Sequence, residues 1–590
     1  MSVRSFCDRW LRHAASLFCI HRLHSPEKYG AFILTRGVPV TQVCRGIVRN
    51  EAIDSKAGRG STRNACTIFG VSAKGLNRAI IQSTGIVMAS VLLSRALGFL
   101  RQWTVAHQIG SNGITDAYYA AFTLPDFLNY LVAAGSLSIT FIPVFTKFAA
   151  ENREEEGWHV FSTVMTFMGL LVIALICVAE IFAPQLVSVI APGFGPAEKQ
   201  HVIFLTRLML PAQFFFYQGG ILSAVQYAKG KFVVPSLAPL VYNLFIILGG
   251  VLLASRMGIT GFAVGVLTGS FLGNFLLQVY GARRVGAKFS LSLDLRHPGF
   301  RLFVKLAVPI MLALSLSFTD DWIIRWFGSF LVPASITWLT YAKSLMRVPL
   351  GVVGQAIGVA SFPVLSKLYS EGKFAELNRL LNDTFKGLII LLVPISAFTI
   401  AESPYVVHLA FSNTRLNAVD LHAVSATLAL FSIGMFAWGA QNLIARGFYS
   451  TRDTWTPAIV GTVFTFLDVP LYWWLSKQAQ HLGLALASST GIILFTIVLF
   501  ALLIRRTENR EIGDLMKFFV KVSVASIFSA TAVYEFAKWL SRSIAWRRTL
   551  GSFEILLMAS AAGLVIIVGL LKLFRTRELD VYFSRLRARF

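Results

Sequence analysis

The residues of this 590-residue chain best placed to do chemistry are ionisable side chains inside long apolar runs. Each costs about 2.5–3.5 kcal/mol at the centre of a membrane helix and needs a reason to be there. The run Ser94-Arg95-Ala96-Leu97-Gly98-Phe99-Leu100-Arg101 holds two arginines six residues apart. On a helix they stand about 120° apart in azimuth and about 9 Å apart in rise, so both can flank one wide cavity at different depths. A guanidinium is planar, stays charged and grips phosphate oxygens in pairs. These two therefore suit an anionic substrate, with Arg95, the deeper in the run, as the stronger candidate. The bland alternative is that one snorkels to an interface or pairs with Asp116 or Asp126.

A second group is acidic. Asp320 and Asp321 share a run with Arg325, and Asp468 follows Thr465 by about one turn. Carboxylates on two helices can make a hard-cation site of oxygen ligands or a proton relay. An Asp321–Arg325 ion pair within one helix is the competing reading. Pro and Gly also interrupt the apolar runs: Pro125, Gly135 and Pro143 in the second, and Pro349, Gly351, Gly354, Gly358 and Pro363 in the eighth. Broken helices are tolerated in a bilayer where they line a cavity, and such positions are candidate hinges for a rocking lobe.

These residues are carried by an all-α, polytopic membrane chain. It is 55% hydrophobic and only 14% charged, too few charges to cover a soluble surface of this length. Runs long enough for a bilayer of about 30 Å number about fourteen between residues 81 and 573. Counting Lys and Arg in the loops places both termini in the cytoplasm of a bacterial inner membrane. The net charge of +25 is spread between the apolar runs rather than gathered on a soluble module, which argues against a nucleic-acid partner. No G-x-x-x-x-G-K-[ST], H-E-x-x-H, C-x-x-C or G-x-S-x-G pattern occurs, so the reading is not an enzyme, and ATP hydrolysis by the chain itself is excluded. No cofactor is expected. Transport draws on sodium, protons or the membrane potential. Cys19, His21 and His24 lack paired metal-ligand spacing, and no metal is assigned.

Residues 1–78 stand apart, with thirteen Lys/Arg against four Asp/Glu and no helix-length apolar run. A disordered basic tail on the cytoplasmic leaflet, a start codon placed too early, and a soluble module are the competing readings. The remainder divides into a lobe at 79–284, a second lobe at 285–506, an additional helix pair at 507–576 and a basic cytoplasmic tail at 577–590. An internal repeat supports two six-helix lobes. Ile142-Pro143-Val144-Phe145-Thr146-Lys147-Phe148 recurs as Phe362-Pro363-Val364-Leu365-Ser366-Lys367-Leu368, at offset 220. Tyr227 with Pro235, Gly261-Phe262-Ala263 and Arg283-Arg284 recur at offset 222 as Tyr449 with Pro457, Gly483-Leu484-Ala485 and Arg505-Arg506. Six helices per copy is an even number, so the copies are parallel, as in two-lobed alternating-access carriers.

The run Ser94-Arg95-x-Leu97-Gly98-Phe99-x-Arg101, followed by Thr115-Asp116-Ala117, Leu124-Pro125-Asp126 and Phe141-Ile142-Pro143, resembles the MurJ/MviN family, the lipid II flippases of the MOP exporter superfamily. Ala191-Pro192-Gly193-Phe194, Trp338-x-x-Tyr341-Ala342, Pro349-x-Gly351-Val352 and Phe448-Tyr449-x-x-x-Asp453-Thr454 extend the resemblance across about 80–576. It implies fourteen helices, a cationic cavity for the pyrophosphate and sugar headgroup of lipid II, and a groove on the added pair for the polyprenyl tail. By the same resemblance Arg95, Arg101 and Asp116 match residues the family uses at the headgroup. Where the family usually has arginines, this chain has Asn129 and Ser344, with Lys343 beside the latter. These three complete the candidate headgroup set. The readings left open are a flippase for another polyprenyl-pyrophosphate glycan, a cation-coupled MATE-like exporter, and a scaffold whose basic tails recruit cell-wall synthesis proteins.

Overall fold

The structure, a computed structural model, describes residues 73–131, 137–315, 319–451 and 453–576, and those residues form helices and connecting turns without a strand. The extension at 1–72, Gly135 and the tail at 577–590 lie outside the described residues. The first half runs through α1 (Ala73–Gln108), α2 (Gly113–Ala121), α3 (Thr123–Leu131), α4 (Leu137–Ala150), α5 (Glu154–Ile181), α6 (Ala183–Ile190), α7 (Pro196–Met209), α8 (Ala212–Ala228), α9 (Val233–Met257), α10 (Thr260–Gly269), a π-helical turn (Ser270–Leu276) and α11 (Leu277–Arg284). The second half continues with α12 (Pro298–Ser315), α13 (Thr319–Gly328), α14 (Ser335–Ser370), α15 (Phe374–Phe411), α16 (Ala418–Ile433), α17 (Met435–Ser450) and α18 (Trp455–Thr507), before α19 (Ile512–Ser543) and α20 (Thr549–Leu573).

Among the described residues, eight helical stretches are individually long and apolar enough to cross a bilayer, or nine when α16 and α17, bent by 41°, count as one. These are fewer than the fourteen apolar runs of the sequence because they are drawn from the described residues alone and some runs are broken. The second is divided at Phe122, and residues 132–136 of the second and 316–318 of the seventh lie outside the described residues. Runs eleven and twelve form one stretch, α18, which departs from helical geometry at Ala479 and Gln480.

The packing repeats as the sequence does. In the first half α8 packs on α4, α5 and the π-helical turn; in the second, α17 packs on α14, α15 and α18. Gly261 and Gly483 occupy matching positions where two helices cross. A β-carbon at Gly261 would lie 2.9 Å from the Gly249 carbonyl, and one at Gly483 would lie 1.9 Å from the Leu475 carbonyl. Without a hydrophobic drive between helices in lipid, such close approach is a principal source of their association.

The backbone carries the same period. Asn152 and Gly372 have positive φ at offset 220, while Gly258 with Gln480, and Gly286 with Glu508, have it at offset 222. Gly258 is at φ 56°, ψ −136° and Gln480 at φ 52°, ψ −132°. This conformation favours glycine, yet the second copy holds glutamine. Gln480→Gly is therefore expected to stabilise the protein by about 1 kcal/mol. The check is the melting temperature in detergent; an unchanged or lower value would count against strain at this turn.

Buried side chains form three main cores. One lies in the first half and includes Phe141, Phe145, Phe161 and Tyr217, joined by Phe300 and Phe303 of α12. Although α12 follows residue 285, it packs on α3, α4 and α5, whereas α13 packs on α18. Another joins the second half to α19 and α20. The third spans both halves through Tyr118, Tyr119, Phe262, Tyr341, Phe411 and Tyr472.

Candidate functional site

The halves clasp each other at the end that holds the 109–112 and 329–334 turns. Asn112 makes a capping box with Thr115, its side chain accepting from the Ile114 and Thr115 amides, and this starts α2 so that Asp116 lies in its first turn. Asp116 is 1% exposed and accepts hydrogen bonds from the Thr337 amide at 2.8 Å and the Thr337 hydroxyl at 2.6 Å. Thr337 stands in the first turn of α14, so a carboxylate from one half satisfies a free amide and the positive dipole end of a helix in the other. Around it, Trp338 donates to Ser111 at 3.3 Å and Tyr341 donates to the Gly110 carbonyl at 3.2 Å. The Arg415 amide donates to the Ala106 carbonyl at 3.1 Å. Asp116, expected in the headgroup set, belongs instead to this latch.

Deeper between the halves lies a cluster of charges. Arg325 of α13 donates to Asp126 at 3.1 Å and Thr123 at 3.2 Å, both on α3. Trp322 packs at a tilt against Phe127 and Tyr130 across the same contact. The competing reading, an Asp321–Arg325 pair within α13, does not form, because Arg325 reaches across to the other half while Asp321 turns to α14. Asp321 accepts from Lys343 at 2.5 Å and from Arg347 at 3.0 Å. Asp320 accepts from Lys343, Tyr472 and Ser488. The Lys343 side chain is only 8% exposed and also lies over the Phe431 and Trp438 rings. It is the resident counter-ion of two aspartates rather than a free cavity cation.

Arg95 and Arg101 have no ion-pair or hydrogen-bond partner among the described residues, and neither pairs with Asp116 or Asp126 as the bland reading supposed. Arg95 lies against Gly351: a β-carbon there would come within 2.5 Å of its guanidinium. Gly351 thus makes room for an arginine, and α14 runs unbroken through Pro349, Gly351 and residue 363. Arg347, one turn from Gly351, is within electrostatic reach of Arg95, and 51% of its side chain is exposed. Arg101 is within reach of Tyr118, Tyr242 and Asp126. Like charges held close at low dielectric repel, so the approach of Arg95 and Arg347 favours an anion between them.

The other expected site residues are placed elsewhere. Asn129 donates to Gln213 at 3.1 Å within the first half, and the Ser344 hydroxyl donates to the Tyr341 carbonyl at 2.7 Å. Thr465 donates to the Gly461 carbonyl at 3.0 Å. The Asp468 carboxylate lies against Gly491, within electrostatic reach of Asp320. Among the described residues no group of three His, Cys, Asp or Glu could hold a metal ion. Pro125 stands in the first turn of α3, where proline fits a helix, and the neighbouring break falls at Phe122. Pro143 lies inside α4. Arg347, Thr337, Tyr472 and Ser488 were not anticipated; for Arg347 the available signal was its place three residues after Ser344, on the same helix face.

Two repeated helical halves, latched to each other at one end, define a multi-pass helical membrane protein. A multidrug-resistance MATE family transporter of the MOP superfamily, in an inward-facing conformation, matches in fold with a TM-score of 0.59 and 16% identity, over 74% of this chain and 99% of that one. A structure described as lipid II flippase MurJ, inward closed conformation, matches with a TM-score of 0.70 and 23% identity, over 84% of this chain and 99% of that one. The lipid II flippase MurJ of Burkholderia cenocepacia is 26% identical over 486 residues, 80% of this chain and 91% of that protein. The model of the family described as lipid II flippase MurJ matches residues 105–548, more than half of the chain. The chain belongs to the lipid II flippase MurJ family.

Proposed function

We propose that this protein moves lipid II from the inner to the outer leaflet of the bacterial inner membrane by alternating access, with both termini in the cytoplasm. The observation that carries the reading is the approach of Arg95, which has no ion-pair partner among the described residues, to Arg347 between two halves that are latched at one end, with Arg101 about two turns further along the Arg95 helix. Arg347 is half exposed beside its aspartate. A pyrophosphate offers the paired oxygens that guanidinium groups hold best. The headgroup enters from the unlatched end, the polyprenyl tail stays in lipid, and release requires the Asp116–Thr337 latch to part.

Lys343 already supplies a cation to Asp320 and Asp321, which supports transport driven without sodium, by the membrane potential acting on the charged cluster. The experiment is reconstitution of the full chain in vesicles, with lipid II exposure at the outer face measured in sodium and in potassium buffers under an imposed potential. Exposure in both buffers is expected. Exposure only in sodium would overturn the driving-force reading, and none in either would overturn the function. Asn129 and Ser344, standing where the family usually has arginines, favour a second reading, a different polyprenyl-pyrophosphate glycan; faster movement of such a lipid than of lipid II in the same vesicles would establish it.

A further inference from the structure

A crevice of about 590 Å³ opens on the first half, away from the charged cluster, between α5, α8, the π-helical turn and the linker that follows α11. Its walls are apolar, with Phe161, Leu170, Ile173, Phe214 and Phe275 among them. From Phe161 to Ile173 the wall follows twelve residues of α5, about 18 Å of rise. That is close to the hydrocarbon depth of one leaflet, half of about 30 Å.

Three polar features interrupt this wall. Gln218 is 4% exposed; its amide nitrogen donates to the Met165 carbonyl at 3.1 Å, but its side-chain oxygen has no partner among the described residues. The buried Thr166 hydroxyl beside it has none either. Arg283, at the end of α11, lines the mouth without an ion pair among the described residues. The Thr166 hydroxyl is a donor without an acceptor and the Gln218 oxygen an acceptor without a donor, a level too polar for a hydrocarbon chain alone, so an occupant with an oxygen that can accept from Thr166 is called for. Met165, which holds Gln218, is four residues, about 6 Å of rise, along α5 from Phe161, which suits a headgroup at Arg283 and a glycerol backbone below it.

The linker runs along the mouth without regular secondary structure. The Ser290 amide donates to the Ser162 hydroxyl at 3.1 Å, and Ser292 meets Thr163 at 3.2 Å, which pins the linker to α5. Phe289 and Leu291 line the crevice, yet both remain largely exposed, Leu291 at 85%. We infer that this crevice is a binding site for an anionic phospholipid, with one acyl chain along α5, a glycerol ester oxygen accepting from the Thr166 hydroxyl, and the phosphate on Arg283. The charge at the mouth selects the headgroup, and the apolar depth selects a chain.

The test uses the full chain purified in detergent, with phosphatidylglycerol and phosphatidylcholine compared as ligands by native mass spectrometry. The wild type is expected to prefer phosphatidylglycerol by about tenfold, the size of one charge-assisted hydrogen bond. Arg283→Gln should bring the two lipids to near parity, and Arg283→Lys should retain most of the preference. Gly169→Phe should expel lipid of either kind, because even a β-carbon at Gly169 would lie 2.5 Å from the Gln218 amide. Equal binding of both lipids to the wild type, or a preference that survives Arg283→Gln, would overturn the assignment. Displacement of phosphatidylglycerol by a polyprenyl phosphate at equal concentration would also overturn it, by making the crevice a seat for the substrate's tail.

Discussion

Cells depleted of their own flippase and supplied with the Arg347→Ala variant are expected to stop growing, and adding Ser344→Arg to the same chain is expected to restore growth. Arg347 is the one guanidinium of the second half that faces Arg95 while keeping half of its side chain free. Its removal leaves Arg95 and Arg101 to hold a pyrophosphate from one side only. Losing one hydrogen bond to a charged group costs about 1.5–3 kcal/mol, so transport should fall by about tenfold or more. Loss of the fold is not the expected cause, because Asp321 keeps Lys343 at 2.5 Å and Asp320 keeps Tyr472 and Ser488. Membrane levels of the variant, read by immunoblot, should match the wild type. Residue 344 lies one turn back on the same face, so an arginine there returns the charge about 4.5 Å along the helix axis. Growth of Arg347→Ala at the wild-type rate would remove Arg347 from the headgroup site. A dead double variant would show that the charge must sit at 347.

The second large effect concerns the latch. Asp116→Leu should open the clasped end, because two hydrogen bonds to a charged acceptor and a favourable helix-dipole contact disappear together. Hydrogen bonds to charged groups contribute about 1.5–3 kcal/mol each, enough to shift a two-state equilibrium by two or more orders of magnitude. The measurement is labelling of a cysteine at Ser344 by a membrane-impermeant thiol reagent added outside, in a chain whose five native cysteines have been replaced. Slow labelling with Asp116 present and rapid labelling in Asp116→Leu are expected. Asp116→Asn keeps an acceptor for Thr337 and should fall between. Identical labelling in all three would mean that this contact does not hold the end shut.

How much of this was legible beforehand depended on the kind of information each residue carries. The repeated halves were legible because apolar length and the Gly261 and Gly483 motifs are local, and each motif serves the same helix crossing in its own half. Arg95 and Arg101 stood out because an unpartnered charge in an apolar run is conspicuous without knowledge of the fold. Partners were harder. The Asp116 bond to Thr337 joins residues 221 positions apart, and the Arg325 bond to Asp126 joins residues 199 apart. No helical spacing announces either. Arg347 was overlooked because the resemblance drew the reading to position 344, although a position three residues away shares that face. Pro349 and Gly351 misled for a different reason. Both are helix breakers in isolation, yet α14 runs through them, since Gly351 is required by the arginine lying across it.

The paired left-handed turns bear on ancestry. Gly258 with Gln480, and Gly286 with Glu508, share a positive φ at one spacing while the side chains differ completely. In the third pair, Asn152 with Gly372, the glycine stands in the second copy instead, so positive φ is kept at the repeat spacing whichever half holds the glycine. The helices on either side hold these turns in place, and the residue at each turn is free to differ. Divergence within this chain is therefore better read from where the backbone reverses than from which residues do the reversing.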